Sequence, residues 1–484
     1  MDLGSLTGDP ALAGTEISDL AYASMDAGPG SLFFCVQGFA ADGHQFAADA
    51  VSGGAAALVC ERPLDLGVPE HVVDDARAAM PRIARRFYGD PSREVDVVGI
   101  TGTNGKTTVA HLVRQILEAA GRPCGLIGTV EWIIAGRARP AARTTPEAIE
   151  LLRALREMAD VGERVCAVEV SSHALELGRA DGVAFAAAVF TNLSQDHLDF
   201  HESMEDYFAA KRLLFASRPG RAIVNVDDAY GARLATEFDC VTYSAAGAAA
   251  DYRAAGIEYD AGGTRFTCVS AAGELPVAMR LPAAYNVANA LAAIATVAGL
   301  GVETPRAVEA LATATGAPGR FELVDAGQNF TVVVDYAHTP DSLENVLEAA
   351  RGLPHEKLIA VFGAGGDRDR GKRPLMGAAG ARHADVVYVT SDNPRSEDPA
   401  AIIDQVLEGA ATAAAHGGAR VETEIDRRAA IERAVGEAGA GDIVVIAGKG
   451  HEQGQEFADG RKLPFDDVAV AREAIERLRA GRVG

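Results

Sequence analysis

The sharpest chemical signal in the chain is Ile100-Thr-Gly-Thr-Asn-Gly-Lys-Thr-Thr108, set between an apolar strand pattern and a helical one. Gly102 and Gly105 let the backbone turn N–H groups inward toward phosphate oxygens. A helix expected from about Thr107 adds the positive end of its dipole. Lys106 is spaced to reach β- and γ-phosphates, and the Thr107 hydroxyl to reach Mg²⁺. A strict G-x-x-x-x-G-K-[ST] loop needs glycine at position 100, where this chain has Ile. The match is to the shorter G-T-N-G-K-T form, with Thr103, Asn104 and Thr108 completing it. Farther along, Glu169 ends a strand-like run before Ser171-Ser-His173, His197 sits in Asp-His-Leu-Asp199, and Lys211 follows Tyr-Phe-Ala-Ala. A carboxylate and an imidazole at strand ends beside a phosphate loop suit a hard divalent cation. Taken singly, each also reads as a cap, a hydrogen-bonded histidine or a solvated lysine.

Lysine is scarce: Lys106, Lys211, Lys357, Lys372, Lys449 and Lys462 are the six, and every other strongly basic side chain is arginine. Where so Arg-biased a chain uses lysine, the choice points to chemistry that needs an amine. The stretch Asp392-Asn-Pro-Arg395 reads by itself as an Asn-Pro turn with a surface arginine. Phe362-Gly-Ala-Gly-Gly-Asp-Arg-Asp369 is a strand and a Gly-rich turn, and it lacks a full G-x-G-x-x-G dinucleotide fingerprint.

In this order the motifs resemble the Mur ligase and folylpolyglutamate synthase superfamily, over essentially the whole chain. The resemblance implies an ATP-dependent ligase that makes an acyl phosphate and then an amide bond. Glu169 and His197 then bind a second Mg²⁺, and Lys211 carries a carbamate made from CO₂ that faces the metal. Asn286 and Asn289 match an adenine-side helix; Arg320, Asp335 and His338 match the part of a third domain that closes over ATP. Thr144, Thr145, Ser171, Arg179 and Lys211 match positions that hold a UDP-muramoyl dipeptide, with Ser24 on the uridine side. Among Mur ligases, the Asn-Pro-Arg stretch resembles the form that selects meso-diaminopimelate in peptidoglycan precursor synthesis. Arg395 then pairs with the far carboxylate of that amino acid, and Glu452 with its ammonium. Arg368, Asp392, Asn393, Pro394 and Gly448 complete the pocket. The chain departs from the pattern at Ala23-Ser24-Met25, where Asp-Ser-Arg is frequent, at Phe39-Ala40 in place of His-Gln, and at Leu177 in place of Gln.

These residues need strands and helices to hold them. A chain of 484 residues exceeds one ordinary core. Short strand-like runs at Ser31–Val36 and Ala56–Cys60 predict a small α/β N-terminal substrate domain over 1–94. Buried-strand patterns at Val165–Val170, Ala186–Thr191 and Ala222–Val226, alternating with helices, predict a central phosphate-loop domain over 95–317 with a doubly wound, mostly parallel sheet. After the linker Thr315-Gly-Ala-Pro-Gly319, strands at Thr331–Val334, Leu358–Phe362, Val386–Thr390 and Ile443–Ile446 predict a Rossmann-like third domain over 318–484.

Net charge of −23 argues against nucleic acid or anionic membrane as partners, though not against an anionic substrate in a local basic cleft. The N-terminus lacks a basic start and an apolar core, so no signal peptide is expected. The longest apolar stretch, Val287 to Val302, is too short and too rich in Ala and Gly to span a bilayer. Six scattered cysteines without C-x-x-C spacing read as reduced thiols. A cytoplasmic monomer acting on small molecules is expected. A lysine-adding or other Mur-type ligase, a polyglutamylating enzyme, a nucleotide-switch ATPase and an inactive scaffold are the alternatives.

Overall fold

The computed structural model of the chain describes every residue except 39, 40, 142, 199, 261 and 484, with backbone alone at 414–417, 482 and 483. The departure at Phe39-Ala40 lies outside the described residues. Among the described residues three large sheets form, their parallel strands mostly on the apolar runs of the sequence, with a two-stranded hairpin of Gly454–Glu456 and Lys462–Pro464 beside the third.

The first is a four-stranded parallel sheet of Asp19–Ala21, Ser31–Phe34, Ala57–Cys60 and Glu70–Val72, in chain order. The second has eleven strands. Its parallel middle runs Cys124–Ile127, Val165–Glu169, Asp96–Thr101, Phe185–Phe190, Ala222–Asn225, Val241–Ser244 and Tyr252–Asp260 in spatial order. Strands such as Val165–Glu169 are buried along their length, as two covered faces require. Helices Lys106–Ala119 and Tyr285–Gly299 cover one face. Ala148–Asp160 and Met204–Ala216 cover the other, in a core continuous with Leu3, Leu32 and Phe34 of the N-terminal sheet region.

The sequence did not announce the antiparallel edges of this sheet. Glu131–Ile134 pairs with Arg137–Pro140 at one end, and Tyr252–Asp260, Gly263–Ser270 and Gly273–Met279 form a meander at the other. Exposed and half-buried residues break up the buried ones in these strands, so no long continuous apolar run flags them.

The third sheet orders Glu322–Leu323, Thr331–Asp335, Ile443–Ala447, Leu358–Phe362, Val386–Thr390 and Arg420–Glu424, parallel except for its first pair. Helices lie on both faces, the Rossmann-like arrangement expected. No helix among the described residues is long and apolar enough to cross a membrane. All six cysteines are free thiols, five of them buried.

Two consequences matter for chemistry. In the central sheet Asp96–Thr101 lies between Val165–Glu169 and Phe185–Phe190, so a crevice opens beyond their C-terminal ends. In the third sheet the C-terminal ends of Thr331–Asp335, Leu358–Phe362, Val386–Thr390 and Ile443–Ala447 bring four loops to one edge.

Candidate active site

The loop after Asp96–Thr101 is built on two glycines that admit no side chain. Gly102 (φ +149°) would drive a Cβ to 1.9 Å from Thr191 Oγ1, and Gly105 (φ +87°) to 2.5 Å from Asn289 Oδ1. Thr103 N–H donates to Asn192 O (2.9 Å) and Asn104 N–H to Asn192 Oδ1 (2.9 Å), anchoring the loop to the neighbouring strand end. Lys106, the first residue of its helix, folds its ammonium back onto Gly102 O and Thr103 O, both at 2.8 Å. Thr108 is buried in the same helix. Asn289 therefore stands against the phosphate loop, and it donates to Asn286 Oδ1 (3.1 Å).

Glu169, 1% exposed at its strand end, gathers donors. Thr107 Oγ1 donates to its Oε2 at 2.8 Å; Thr129 donates from N–H to Oε1 (2.8 Å) and from Oγ1 to Oε2 (3.1 Å). Thr145 Oγ1 donates to Glu169 O (2.8 Å) and accepts from Ser171 N–H (3.1 Å), while Thr144 Oγ1 lies 3.0 Å from Thr129 Oγ1. Thr107, Glu169, Thr144, Thr145 and Ser171 are thus one network. Lys211 is 1% exposed, donates to Gly102 O (2.9 Å) and lies 4.5 Å from the Tyr207 ring centre. Burial, and then the neighbouring Lys106, press its pKa well below the ordinary lysine value. Lys106 is lowered too, chiefly by burial. His197 (φ +55°) sits beside Asp196 (3.5 Å), with its ring 4.9 Å from His173 and 6.0 Å from Tyr207. A hydroxyl and a carboxylate in contact beside two amines form a set of hard donors and positive charge. That chemistry fits a Mg²⁺–phosphate group.

Among the described residues, a separate grouping of possible metal ligands is Glu344, Glu348 and His383 on the third-domain surface. There His383 Nε2 lies 3.2 Å from Glu344 Oε1 and Arg382 also pairs with Glu344, which is an ordinary ion-pair cluster.

The third sheet contributes from across the crevice. Arg320 Nη2 donates to Thr107 Oγ1 at 3.4 Å, and its guanidinium lies 4.5 Å from the Tyr336 ring centre. Asp335 accepts from Phe321 N–H and Ala337 N–H (2.7 and 2.8 Å); burial nevertheless raises its pKa against the pull of Arg320. His338 is held by Tyr336 O (2.8 Å), and its own carbonyl accepts from Lys372 (2.9 Å). Asp341 Oδ2 accepts from Asn104 Nδ2 (3.1 Å) and Ser194 Oγ (2.9 Å), joining the third unit directly to the phosphate loop.

Along the edge of the third sheet, Asn393 Nδ2 donates to Glu452 Oε2 at 3.0 Å. Lys449, fully buried, donates to Asn393 Oδ1 (2.7 Å) and lies 3.2 Å from Asp392 Oδ1 and 3.4 Å from Glu452 Oε2. Burial would raise the Asp392 pKa; Lys449 and Arg427 outweigh it and hold it low. Arg395, in the left-handed region (φ +51°), pairs with Glu456 (3.1 Å). Gly366 packs on Pro394 O, and Gly448 (φ +124°) faces Asp392 and Arg427. Arg368, exposed, and Arg395 flank Gly365.

On the opposite side, Glu147 is 4% exposed and paired with three arginines: Arg77 (3.1 Å), Arg143 (3.1 Å) and Arg179 (2.9 Å). The surplus positive charge beside Thr145 and Ser171 suits an anionic substrate. Ser24 lies apart, on a short turn of the N-terminal unit, and Leu177 caps the helix after Ser171. Sequence reasoning missed Arg77, Arg143, Asp341, Lys372 and Lys449 as site neighbours. Only the scarcity of lysine hinted at the last two.

The comparisons with known proteins agree along the chain. Residues 16–88 match the Mur ligase family catalytic domain, 100–297 the Mur ligase middle domain, and 319–450 the Mur ligase glutamate ligase domain. A UDP-N-acetylmuramoyl-L-alanyl-D-glutamate–2,6-diaminopimelate ligase of Geobacillus thermodenitrificans is 47% identical over 93% of this chain and 93% of its own. The ligase of the same name from Streptomyces coelicolor is 48% identical over 96% of this chain and 93% of its own. A solved structure of a ligase with that name superposes with a TM-score of 0.71 at 34% identity, over 99% of each chain. By its sequence, its three large sheets and its phosphate loop, the chain belongs to the Mur ligase family of ATP-dependent ligases.

Proposed function

We propose that the chain joins meso-diaminopimelate to UDP-N-acetylmuramoyl-L-alanyl-D-glutamate, with ATP, in peptidoglycan precursor synthesis. The observation that carries this reading is the pair Arg395 and Glu452 on neighbouring loops, each tied to the Asn393–Glu456 stretch. The two loops are joined by Glu456 N–H donating to Asn393 Oδ1, and the cation of one and the anion of the other match the carboxylate and ammonium at the far end of that amino acid. L-lysine has no such carboxylate and leaves Arg395 unmatched. A site built for a polar group rejects analogues lacking it by as much as roughly 10⁴–10⁵. The names of the relatives at 47 and 48% identity support the same acceptor and amino acid.

We assign nucleotide-sugar binding to 1–94 with Ser24, and to Thr144, Thr145, Ser171 and Arg179. ATP binding falls to 95–317, and amino-acid binding to 318–484 with Arg368, Asp392–Arg395, Gly448 and Glu452. The loop N–H groups of 102–105 and Lys106 hold the triphosphate. Asn286 and Asn289 take the adenine side, and Arg320, Asp335 and His338 close from the third unit. A carboxylate oxygen of the dipeptide attacks the γ-phosphorus, ADP leaves, and an acyl phosphate remains. The amine of the amino acid attacks the acyl carbon, loses its proton and expels phosphate. Thr107, Glu169, His197 and Lys211 as a carbamate would hold Mg²⁺, which neutralises phosphate charge when bound. Carbamylation needs a neutral amine, which the burial of Lys211 beside Lys106 favours; arginine offers none. We further propose that the chain works in the cytoplasm as a monomer on these small-molecule substrates.

The test is phosphate release by the purified chain with ATP, Mg²⁺ and the muramoyl dipeptide, offering meso-diaminopimelate or L-lysine. Strong preference for meso-diaminopimelate is expected. Equal use of lysine, or release with neither, rejects the assignment.

A further inference from the structure

Arg395 owes its placement to Glu456. Its Nε donates to Glu456 Oε2 at 3.1 Å and its Nη1 to Gly366 O at 2.7 Å. A guanidinium carries five N–H groups, so both on Nη2 and one on Nη1 remain for a ligand. The backbone bonds repeat the tie: Arg395 N–H donates to Glu456 O (3.1 Å), and Glu456 N–H donates to Asn393 Oδ1 (2.9 Å). Arg395 also bridges to Phe457. These contacts hold Arg395 at φ +51°, a conformation that costs a non-glycine residue energy and persists only when its surroundings over-determine it. Lys449 extends the arrangement to the other pocket charge. Its ammonium spans Asn393 Oδ1 (2.7 Å) and Gly454 O (2.9 Å), and Asn393 Nδ2 reaches Glu452 (3.0 Å). Beside Arg395 lies an open depression of about 630 Å³, with Glu397, Asp398, Phe457, Asp459 and Arg461 in its wall, so Arg395 and Arg461 are the cations there that can meet a carboxylate.

We propose that Glu456 is a positioning residue that sets the preference for an amino acid with a distal carboxylate, by aiming the Arg395 fork into the pocket. The inference rests on the function proposed above. Glu456 itself contacts Arg395 from the Nε side, which leaves the Nη2 end open to a ligand. A partly exposed ion pair contributes little to stability; side-chain exposures of 22% for Arg395 and 30% for Glu456 place this pair in that class. Its effect therefore belongs to binding geometry.

The experiment measures initial rates of phosphate release for the full chain, Glu456→Ala and Glu456→Gln, with meso-diaminopimelate and with L-lysine. Glu456→Ala is expected to raise the KM for meso-diaminopimelate about tenfold, the scale of one charge-assisted hydrogen bond. kcat and the KM for ATP should hold, and kcat/KM for lysine should stay put, so discrimination falls by the same factor. Glu456→Gln, whose amide oxygen still accepts from Nε, should recover most of the loss, and Glu456→Ser, too short to reach Nε, repeats the test if the alanine variant folds poorly. An unchanged or lower KM for meso-diaminopimelate in Glu456→Ala, or an equal loss with lysine, overturns the inference alone. An unmodified chain that ignores meso-diaminopimelate overturns the functional reading and this inference together.

Discussion

Two ammonium groups converge on a single carbonyl oxygen, Gly102 O, from Lys106 and Lys211. Burial, and then repulsion by the neighbouring Lys106 ammonium, lowers the Lys211 pKa well below the ordinary lysine value. Turning Lys211 into a carbamate replaces a cation with an anion and removes that conflict. Lys211→Ala should cut kcat by about a hundredfold or more, as loss of a group acting on the transition state does. Added formate or acetate should restore part of it by taking the carbamate's place. A Lys211→Ala chain with undiminished activity would remove lysine carbamylation from the mechanism. At this scale the sequence spoke clearly where chemistry demands neighbours in the chain, as from Gly102 to Thr108. It gave no partner for Lys449 beyond the hint of scarce lysine and none for Asp341, because Asn393 and Asn104 lie 56 and 237 residues away and no spacing rule connects them.

The helix Lys106–Ala119 carries the phosphate loop and is buried over most of its length, His111 included at 4% exposure. Burial, with Arg114 and Arg320 adding to it, pushes the His111 pKa down to about 3. An unfolded histidine titrates near pH 6.5, so below that pH the unfolded chain binds a proton that the folded one refuses. Stability is then full above about pH 6.5 and falls as the pH drops toward 3, by about 1.4 kcal/mol per unit at most. Denaturant unfolding at pH 7.5 and 5.5 should show the unmodified chain losing more stability than His111→Gln. Equal losses in the two would mean that His111 takes up its proton without cost. The same helix was legible because an apolar strand, a Gly-rich turn and a helical period agree there. The meander over Tyr252–Met279 was not, since its buried residues are interrupted by exposed and half-buried ones, with Glu and Arg among them, and tertiary pairing alone fixes its register.

At the scale of the whole molecule the chain is strongly acidic, yet it concentrates arginine and lysine where anionic substrates are expected, around Glu147 and around Gly102. The third unit meets the phosphate loop through Asp341, with Asn104 and Ser194, and through Arg320, with Thr107. Between the two units runs Thr315–Gly319, tied by Gln115 to Thr315 N–H (3.0 Å) and Gly316 O (2.9 Å). Gly316 (φ +72°) and Gly319 (φ +66°) sit in a backbone region that glycine enters without strain. These two glycines make this segment the place where the backbone can turn, and Arg320 stands next to it. Binding of triphosphate adds a polyanion between Lys106 and Arg320 and should draw the third unit inward, excluding water from the acyl phosphate. Small-angle scattering should record a smaller radius of gyration with a non-hydrolysable ATP analogue and the muramoyl dipeptide than with neither. Asp341→Ala, which removes the tether to Asn104 and Ser194, should enlarge the ligand-free particle and leave the ligand-bound one nearly unchanged. Identical scattering with and without ligands would mean that the units already sit in their working arrangement. Arg320 would then act by its fixed position beside Thr107 instead of by arrival.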